Sequence, residues 1–342
     1  METVIALDVG HSAVKVVADS GGHRQQLMFR SVAIPAFHIS EDSARAAADR
    51  DTVTVAGQPY FFGDTAVVQG RADVESGLSE SWVTTPQYAA LFLGAVKRLS
   101  LLPNPVSPDK AIFVVGLPAK YFTQQRSLLK TTLQQHVPGA EIIVRPQPMG
   151  PYCCIQFNPD GTENRERNMA DESWGVVEVG HFTSDFALFK GGVWAEHGSG
   201  SCKGGYVAAE ELSRLLQERD GINVSPLEAT AAIEAGSIRI FGKKVDIKPY
   251  LQAAGMPIAA EILEHATRLM ERDARALDGI IIAGGGAPLV YHQLQAKWPH
   301  TVLADNSRMT VAEGFCRLGC ALRADRRLRA ARAAAQATKQ PA

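Results

Sequence analysis

The sequence lacks net charge, a cysteine framework and any long apolar run, and each lack removes a class of protein. With 35 Lys and Arg against 36 Asp and Glu, the formal net charge is -1. Nothing in that balance drives the chain toward nucleic acid or a membrane surface, so a partner of either kind has to be met by a local patch. The 5 cysteines are scattered, with Cys153 and Cys154 adjacent and Cys316 and Cys320 one helical turn apart. An odd, scattered set is no disulfide framework and fits a reducing compartment. No apolar run approaches the roughly 18 residues that a spanning helix needs. The N-terminus enters a strand-like run, Val4 to Leu7, without the basic segment and apolar core of a leader. These readings predict a cytoplasmic protein with no membrane partner. What is present is a chain of 342 residues, 46% of them hydrophobic, enough to bury one or two substantial cores.

The chain carries an internal echo. Val4-Ile5-Ala6-Leu7-Asp8-Val9-Gly10-His11 and Val176-Val177-Glu178-Val179-Gly180-His181 are each a strand-like run entering an acid-Val-Gly-His turn. After each turn an apolar run resumes (Val14 to Ala18; Phe186 to Phe189) and reaches a glycine pair, Gly21-Gly22 or Gly191-Gly192, in the same register from the acid. A second pair follows in the same order, Ala111-Ile112-Phe113-Val114-Val115-Gly116 and Gly279-Ile280-Ile281-Ile282-Ala283-Gly284, both buried-strand runs ending at glycine. Two matched segments, in order and at nearly equal separation, predict a duplication. Helical patterns lie between them, at Gln87 to Leu102, Gln124 to His136, Tyr206 to Arg219 and Pro257 to Arg275. Strands and helices therefore alternate in α/β fashion. Ile34 to Gly77 is more mixed, with short strand candidates at Val53 to Ala56 and Tyr60 to Phe62, and reads as an insertion. Asn158 to Ser173 is polar and reads as a surface excursion near the join of the halves.

The two turns have the chemistry of phosphate loops. Gly10 and Ser12 can turn backbone N–H groups and a hydroxyl toward phosphate oxygens, and Lys15 adds positive charge. Asp8 cannot favour a bare phosphate, so it reads as a ligand, direct or through water, of an accompanying Mg2+. Taken alone, the motif is equally a plain hairpin with a solvated lysine. The second turn repeats the kit with Glu178, Gly180 and the hydroxyls of Thr183 and Ser184, placing Asp185 where the first has Lys15. Gly284-Gly285-Gly286, after a buried strand, offers backbone that can lie flat against a ligand such as adenosine.

Asp8-x-Gly10-x-Ser12-x-x-Lys15, Glu178-x-Gly180-x-x-Thr183-x-Asp185, Val115-Gly116-Leu117-Pro118, Ile282-Ala283-Gly284-Gly285-Gly286 and Ala312-Glu313-Gly314 together resemble the motifs of the actin, heat-shock chaperone and sugar kinase superfamily. The third is similar to the connecting segment of plasmid-segregation actins of the ParM/StbA type. The resemblance implies a duplicated, ribonuclease H-like actin fold: two related α/β domains around a nucleotide cleft. Domain I is then 1–160 plus about 305–330 with a subdomain inserted at about 34–100, domain II is about 170–304, and 331–342 is a basic, Ala-rich tail. It implies ATP and Mg2+ as cofactors, with Asp8 and Glu178 directed at the metal. Gly10, His11, Ser12, Lys15, Gly180, His181, Phe182, Thr183, Asp185, Gly284, Gly285 and Gly286 fall at the nucleotide. Gln147, in Arg145-Pro146-Gln147-Pro148, falls where the superfamily orients the attacking water, the alternative being a loop glutamine fixed by two prolines.

The superfamily's second motif opens with Asp, and Glu178 departs from it. The extra methylene shifts the carboxylate by roughly 1.5 Å, comparable to the difference between direct and water-mediated contact with a metal whose ligands sit near 2.1 Å. Glu178-Val179-Gly180-His181 also resembles the Glu-x-Gly-His element of sugar kinases that bind zinc, but only Cys202 follows within a hundred residues, too few ligands for that site. Cys316 and Cys320 read as small core residues. The run Arg323 to Arg332 reads as a solvated terminal helix or a contact patch, and nothing else resembles a reader of DNA sequence. The resemblance implies an ATPase that polymerises into filaments, with a DNA-bound adaptor as further partner, for plasmid or DNA segregation. A small-molecule kinase and a nonpolymerising scaffold are the alternatives; a kinase usually needs an Asp base at the acceptor, and none sits in a recognisable motif.

Overall fold

The computed structural model describes residues 2–70 and 80–337. Parts of the expected insertion (71–79) and of the expected tail (338–342) lie outside the described residues. The first half runs β1 (Val4–Val9), β2 (Ala13–Ser20), β3 (His23–Arg30), β4 (Ala33–Pro35), α1 (Asp42–Arg50), β5 (Thr52–Val55), β6 (Gln58–Phe62), α2 (Gly63–Gln69) and α3 (Pro86–Ser100). It continues through β7 (Ile112–Leu117), α4 (Ala119–His136), β8 (Glu141–Pro146) and α5 (Met149–Gln156). The second half runs β9 (Ser173–Val179), β10 (Thr183–Lys190), β11 (Val193–Trp194), β12 (Gly200–Lys203), α6 (Tyr206–Asp220), α7 (Pro226–Ala235), β13 (Ser237–Ile240) and β14 (Lys243–Asp246). It closes with α8 (Lys248–Met270), β15 (Gly279–Ala283), α9 (Ala287–Lys297), β16 (Thr301–Leu303) and α10 (Thr310–Ala337).

The echo in the sequence is an echo in topology. One sheet has the order β3-β2-β1-β7-β8 and the other β11-β10-β9-β15-β16, so the five strands of each half take equivalent places. In both, the hairpin is antiparallel and the later strands are parallel to its first strand. The next turn of each meander, β2 to β3 and β10 to β11, is made at the Gly–Gly pair, with φ of 65° and 98° at Gly21-Gly22 and 53° and 78° at Gly191-Gly192. Two successive residues at positive φ match the twist of the strands they join, and only glycine adopts them freely.

Burial on both faces explains the unbroken apolar runs of the central strands. Ile5, Leu7 and Val9 face one core beneath α3 and α4, while Val4 and Ala6 face α10 through Val311, Phe315 and Cys316. The second sheet repeats this, with Val177 and Val179 toward α8 and α9 and Trp174 and Val176 toward Tyr152 of α5. Helices α5 and α10 cross in backbone contact between the two sheets. A Cβ on Gly314 would lie 1.7 Å from the Gly150 carbonyl oxygen, so the crossing requires glycine there.

Three expected boundaries move. The helix read as Pro257 to Arg275 is α8, Lys248–Met270, with Pro257 inside it. Apolar packing of Ala254, Ile258 and Ile262 on both sides of the proline outweighs one lost hydrogen bond. The helix read from Gln124 starts at Ala119, because its first N–H is capped from the other half of the chain, as described below. The basic run at 323–332 is no separate element but continues α10, with Arg323 buried against Asp19 at 2.6 Å. The insertion read at 34–77 contains the sheet β4-β6-β5, and 158–172 is irregular and mostly exposed. Among the described residues no helix is long and apolar enough to cross a membrane.

Candidate functional site

The β1–β2 and β9–β10 turns form one pocket, lined by Asp8, Gly10, His11, Ser12, Lys15, Gln147, Glu178, Gly180, His181, Phe182 and Thr183. Gly10 and Gly180 are small because their turns are tight. A Cβ on Gly10 would lie 3.2 Å from the Ala13 carbonyl and 3.3 Å from Lys15 Nζ, and one on Gly180 would lie 2.7 Å from the Thr183 carbonyl. The loops touch across the cleft: the His11 ring stacks on Trp82 at 5.2 Å and meets Phe182 at 4.7 Å.

Asp8 is the hub. Its carboxylate is buried and accepts from Lys15 Nζ at 2.8 Å on one oxygen and from Gln147 Nε2 at 2.8 Å on the other. Gln147 is positioned by its own N–H donating to the Leu117 carbonyl at 2.8 Å and by bare Gly116, whose Cβ would lie 3.0 Å from Gln147 Cγ. Glu178 is equally buried. Burial, then the negative charges of Asp8 and Asp185, push its proton affinity well above the ordinary carboxylate range, with Lys15 opposing. Two desolvated carboxylates and one lysine leave this pocket short of positive charge. Hard oxygen donors in that condition fit a hydrated Mg2+, which takes one or two carboxylates and keeps several waters.

Asp185 goes elsewhere. It does not line the pocket: one oxygen accepts the Ala119 N–H at the start of α4 at 2.9 Å and also the Ser201 hydroxyl, and the other accepts from Thr183 Oγ1 at 2.9 Å. A residue expected at the nucleotide thus caps a helix of the opposite half. Burial pushes its pKa up to about 6 while these hydrogen bonds hold it down. Thr183 lines the pocket, but its hydroxyl is committed to Asp185. Burial, aided by Lys15 and Arg308, lowers His181 to about 4, so its imidazole is neutral at pH 7.

A second pocket adjoins the first, sharing Ser12, Lys15, Gly180 and His181 and adding Gly285, Gly286, Gly205, Thr230, Glu234 and Arg308. Gly285 and Gly286, expected at the nucleotide, line this second pocket. Gly284 does not line it; at φ 93° its bare face receives Glu178 Oε1 and the Val179 carbonyl. Arg308 and Glu234 form an ion pair of 2.6 Å between the α9–α10 region and α7.

Several lining residues were not read from the sequence: Trp82, Tyr88, Thr230, Glu234 and Arg308. Trp82 donates its indole N–H to the Val9 carbonyl at 3.3 Å, and the buried Tyr88 packs edge-on against it. The Tyr88 hydroxyl, buried beside Asp8 in the pocket wall, has no hydrogen-bond partner among the described residues and its proton affinity is raised. They come from outside the two turns, Trp82 and Tyr88 from the start of α3 and the segment before it, Thr230 and Glu234 from one face of α7, so no pattern within the turns announces them.

Two family models match this chain: actin like proteins, N-terminal domain, over residues 6–150, and archaeal actin homologue MreB-like, C-terminal, over residues 176–296. No curated protein matches in sequence. Among solved structures, a 15-stranded ParM filament from Clostridium botulinum is 20% identical with a TM-score of 0.70, covering 93% of this chain and 99% of the other. The actin-like protein Alp7A is 13% identical with a TM-score of 0.71, covering 97% and 100%. The archaeal actin homologue Ta0583 in complex with ADP is 18% identical with a TM-score of 0.63, covering 95% and 99%. With the duplicated sheets, the crossing helices and each half matched by an actin-like family model, the chain has the actin-like fold.

Proposed function

We propose that this protein binds ATP with Mg2+ between its two hairpin turns, hydrolyses it, and uses the cycle to assemble into and leave filaments of its own copies. The observation that carries the reading is the Asp8 hub: one buried carboxylate joins Lys15 and Gln147 and faces Glu178 from the opposite half. In this reading Gly10, His11, Ser12, Gly180, His181 and Phe182 surround the phosphates with Lys15, and Gly285 and Gly286 face the nucleoside. Asp8 and Glu178 hold the metal directly or through water, and the metal supplies charge neutralisation at the phosphates. Gln147 aligns the attacking water, its neutral amide fixed by Asp8. Thr183 and Asp185 support the second turn and tie it to α4.

The setting proposed is plasmid or DNA segregation in the cytoplasm, through a DNA-bound adaptor and without direct sequence-specific DNA contact. The name of the ParM filament neighbour supports self-association. The two halves proposed are 1–160 with about 305–330 and about 170–304, with an insertion at about 34–100 and a tail at 331–342. The test is sedimentation and light scattering with Mg2+ and either ATP or ADP. ATP is expected to give sedimentable filaments and released phosphate, and ADP neither. No scattering increase, with phosphate transferred to a sugar or small acid, would replace this reading by a kinase.

A further inference from the structure

The hairpin β13–β14 stands apart as its own two-stranded sheet, with one side, through Ile238, on the core between α6 and α7. Its turn is Phe241-Gly242, at φ of 45° and 80°. This turn favours Asn, Asp or Gly in the first place, so an aromatic there is held in backbone strain. Yet Phe241 is 101% exposed, the most exposed large hydrophobic side chain of the described residues. Neither local geometry nor the core has a use for this ring. Exposed Arg239, Lys243 and Lys244 surround it.

A complementary hollow lies on the same chain. A groove of about 470 Å³ runs between α5, β16 and the start of α10, with Ile155, Val302, Leu303 and Met309 as apolar lining. Glu313 and Arg317 in its wall are paired with each other at 2.8 Å, and Glu313 also with Arg24, so the exposed Asp305 is the acid it offers to a cation. Val302 and Leu303 are 45% and 38% exposed, on a strand at the edge of its sheet. The hairpin packs on α7, whereas the groove belongs to the α5–α10 crossing, so the two patches do not meet within one molecule.

We infer that Phe241, with its cationic collar, inserts into the Ile155–Leu303–Met309 groove of a second copy of this chain. A knob on one patch and a hollow on another make a heterologous contact, which builds an open filament where its rotation does not close into a ring. The inference rests on the self-assembly proposed above and names its contact.

Two variants test it. Phe241→Asn removes the ring and suits the positive φ, so folding is not at risk; Leu303→Asp puts a charge into the groove at an exposed position. Thermal unfolding checks both. With ATP and Mg2+ each variant should raise the concentration needed for sedimentation at least about tenfold, as loss of a central aromatic anchor does. An equimolar mixture, one variant keeping a groove and the other a knob, should give a 1:1 complex in sedimentation velocity. If the parent assembles and Phe241→Asn assembles at the same concentration, the knob is not the contact and the self-assembly reading stands. If both variants fail but their mixture forms no complex, the pairing of knob with groove is wrong. A parent that does not assemble removes the reading and the contact together.

Discussion

The hairpins β1–β2 and β9–β10 share a backbone and differ in charge. In the first, Asp8 sits opposite Lys15; in the second, at the same register, Glu178 sits opposite Asp185. One half therefore carries a compensated pair of 2.8 Å and the other two buried acids with no cation of their own. The structure separates those acids by function. Asp185 is turned to the N-terminus of α4, where unsatisfied N–H groups and the helix dipole favour a carboxylate, and Glu178 is left facing Asp8. Duplication supplies the scaffold. The difference in charge makes one side of the cleft want a cation and ties the second half to a helix of the first.

The comparison is broken hardest at the hub. Asp8→Ala leaves Lys15, 7% exposed, without its partner and Gln147 without its acceptor. Stripping one member of a buried pair costs about 3–5 kcal/mol, so denaturant unfolding should show a loss of that order, and productive nucleotide use should be abolished. Without nucleotide, Glu178→Gln should have the opposite sign, stabilising the protein at neutral pH because it removes a disfavoured buried charge. Destabilisation of similar size by both changes would mean that the hairpins are electrostatically equivalent after all.

Gln147 gives the next effect. A residue that only aligns water acts mainly in the transition state, so Gln147→Ala should bind ATP nearly as the parent does. Hydrolysis should fall about tenfold to a thousandfold, roughly 1.4–4 kcal/mol of barrier, and filaments should persist. ATP affinity, phosphate release and filament lifetime on one preparation separate the cases. Unchanged phosphate release removes Gln147 from the mechanism. Joint loss of binding and hydrolysis makes the Pro146-Gln147-Pro148 loop, whose glutamine holds Asp8, a structural one.

How much of this was legible in the sequence follows from how local each feature is. Asp8, Gly10 and Lys15 belong to one hairpin, as do Glu178 and Gly180, and the Gly–Gly turns fix the strand register, so motif and fold were visible together. The start of α4 was not, because its cap arrives from Asp185, 66 residues later. The same long-range bond explains why Asp185, beside the β9–β10 turn in sequence, is absent from the pocket wall. Trp82, Tyr88 and Arg308 reach the site from separate elements, and only the assembled chain brings them to it.

Asp185 also gives the comparison a pH axis. Its carboxyl, raised from an ordinary 3.8 to about 6, keeps its proton in the folded state over a window in which the unfolded chain has lost it. The folded state then binds more protons, so this group's stability, full below about 3.8, is lost as the pH rises to about 6 and stays lost above. Asp185→Asn is neutral throughout. Without nucleotide, its stability relative to the parent should rise across that window by up to roughly 3 kcal/mol and level off above it. Paired unfolding curves from pH 4 to 7 test this. A flat difference would show that capping α4 compensates the buried charge in full.

The smallest effect is expected where this chain departs from the superfamily motif it resembles. Glu178→Asp shortens the side chain by a methylene and withdraws the carboxylate by roughly 1.5 Å, a change comparable to that between direct and water-mediated contact with Mg2+. The longer side chain now reaches Gly284, whose missing Cβ would lie 2.6 Å from Glu178 Oε1, so glutamate occupies space that a larger residue at 284 would deny it. Aspartate keeps the charge and gives up that reach. Retention in the same wall, opposite Asp8, should leave ATP turnover unchanged or raise it, with unfolding temperature little altered. Steady-state phosphate release, measured across Mg2+ concentrations, distinguishes the outcomes. A fall of more than about tenfold, or about 1.4 kcal/mol of barrier, in a normally folded variant would give the glutamate's length a dedicated role and make the Glu178–Gly284 contact part of the chemistry.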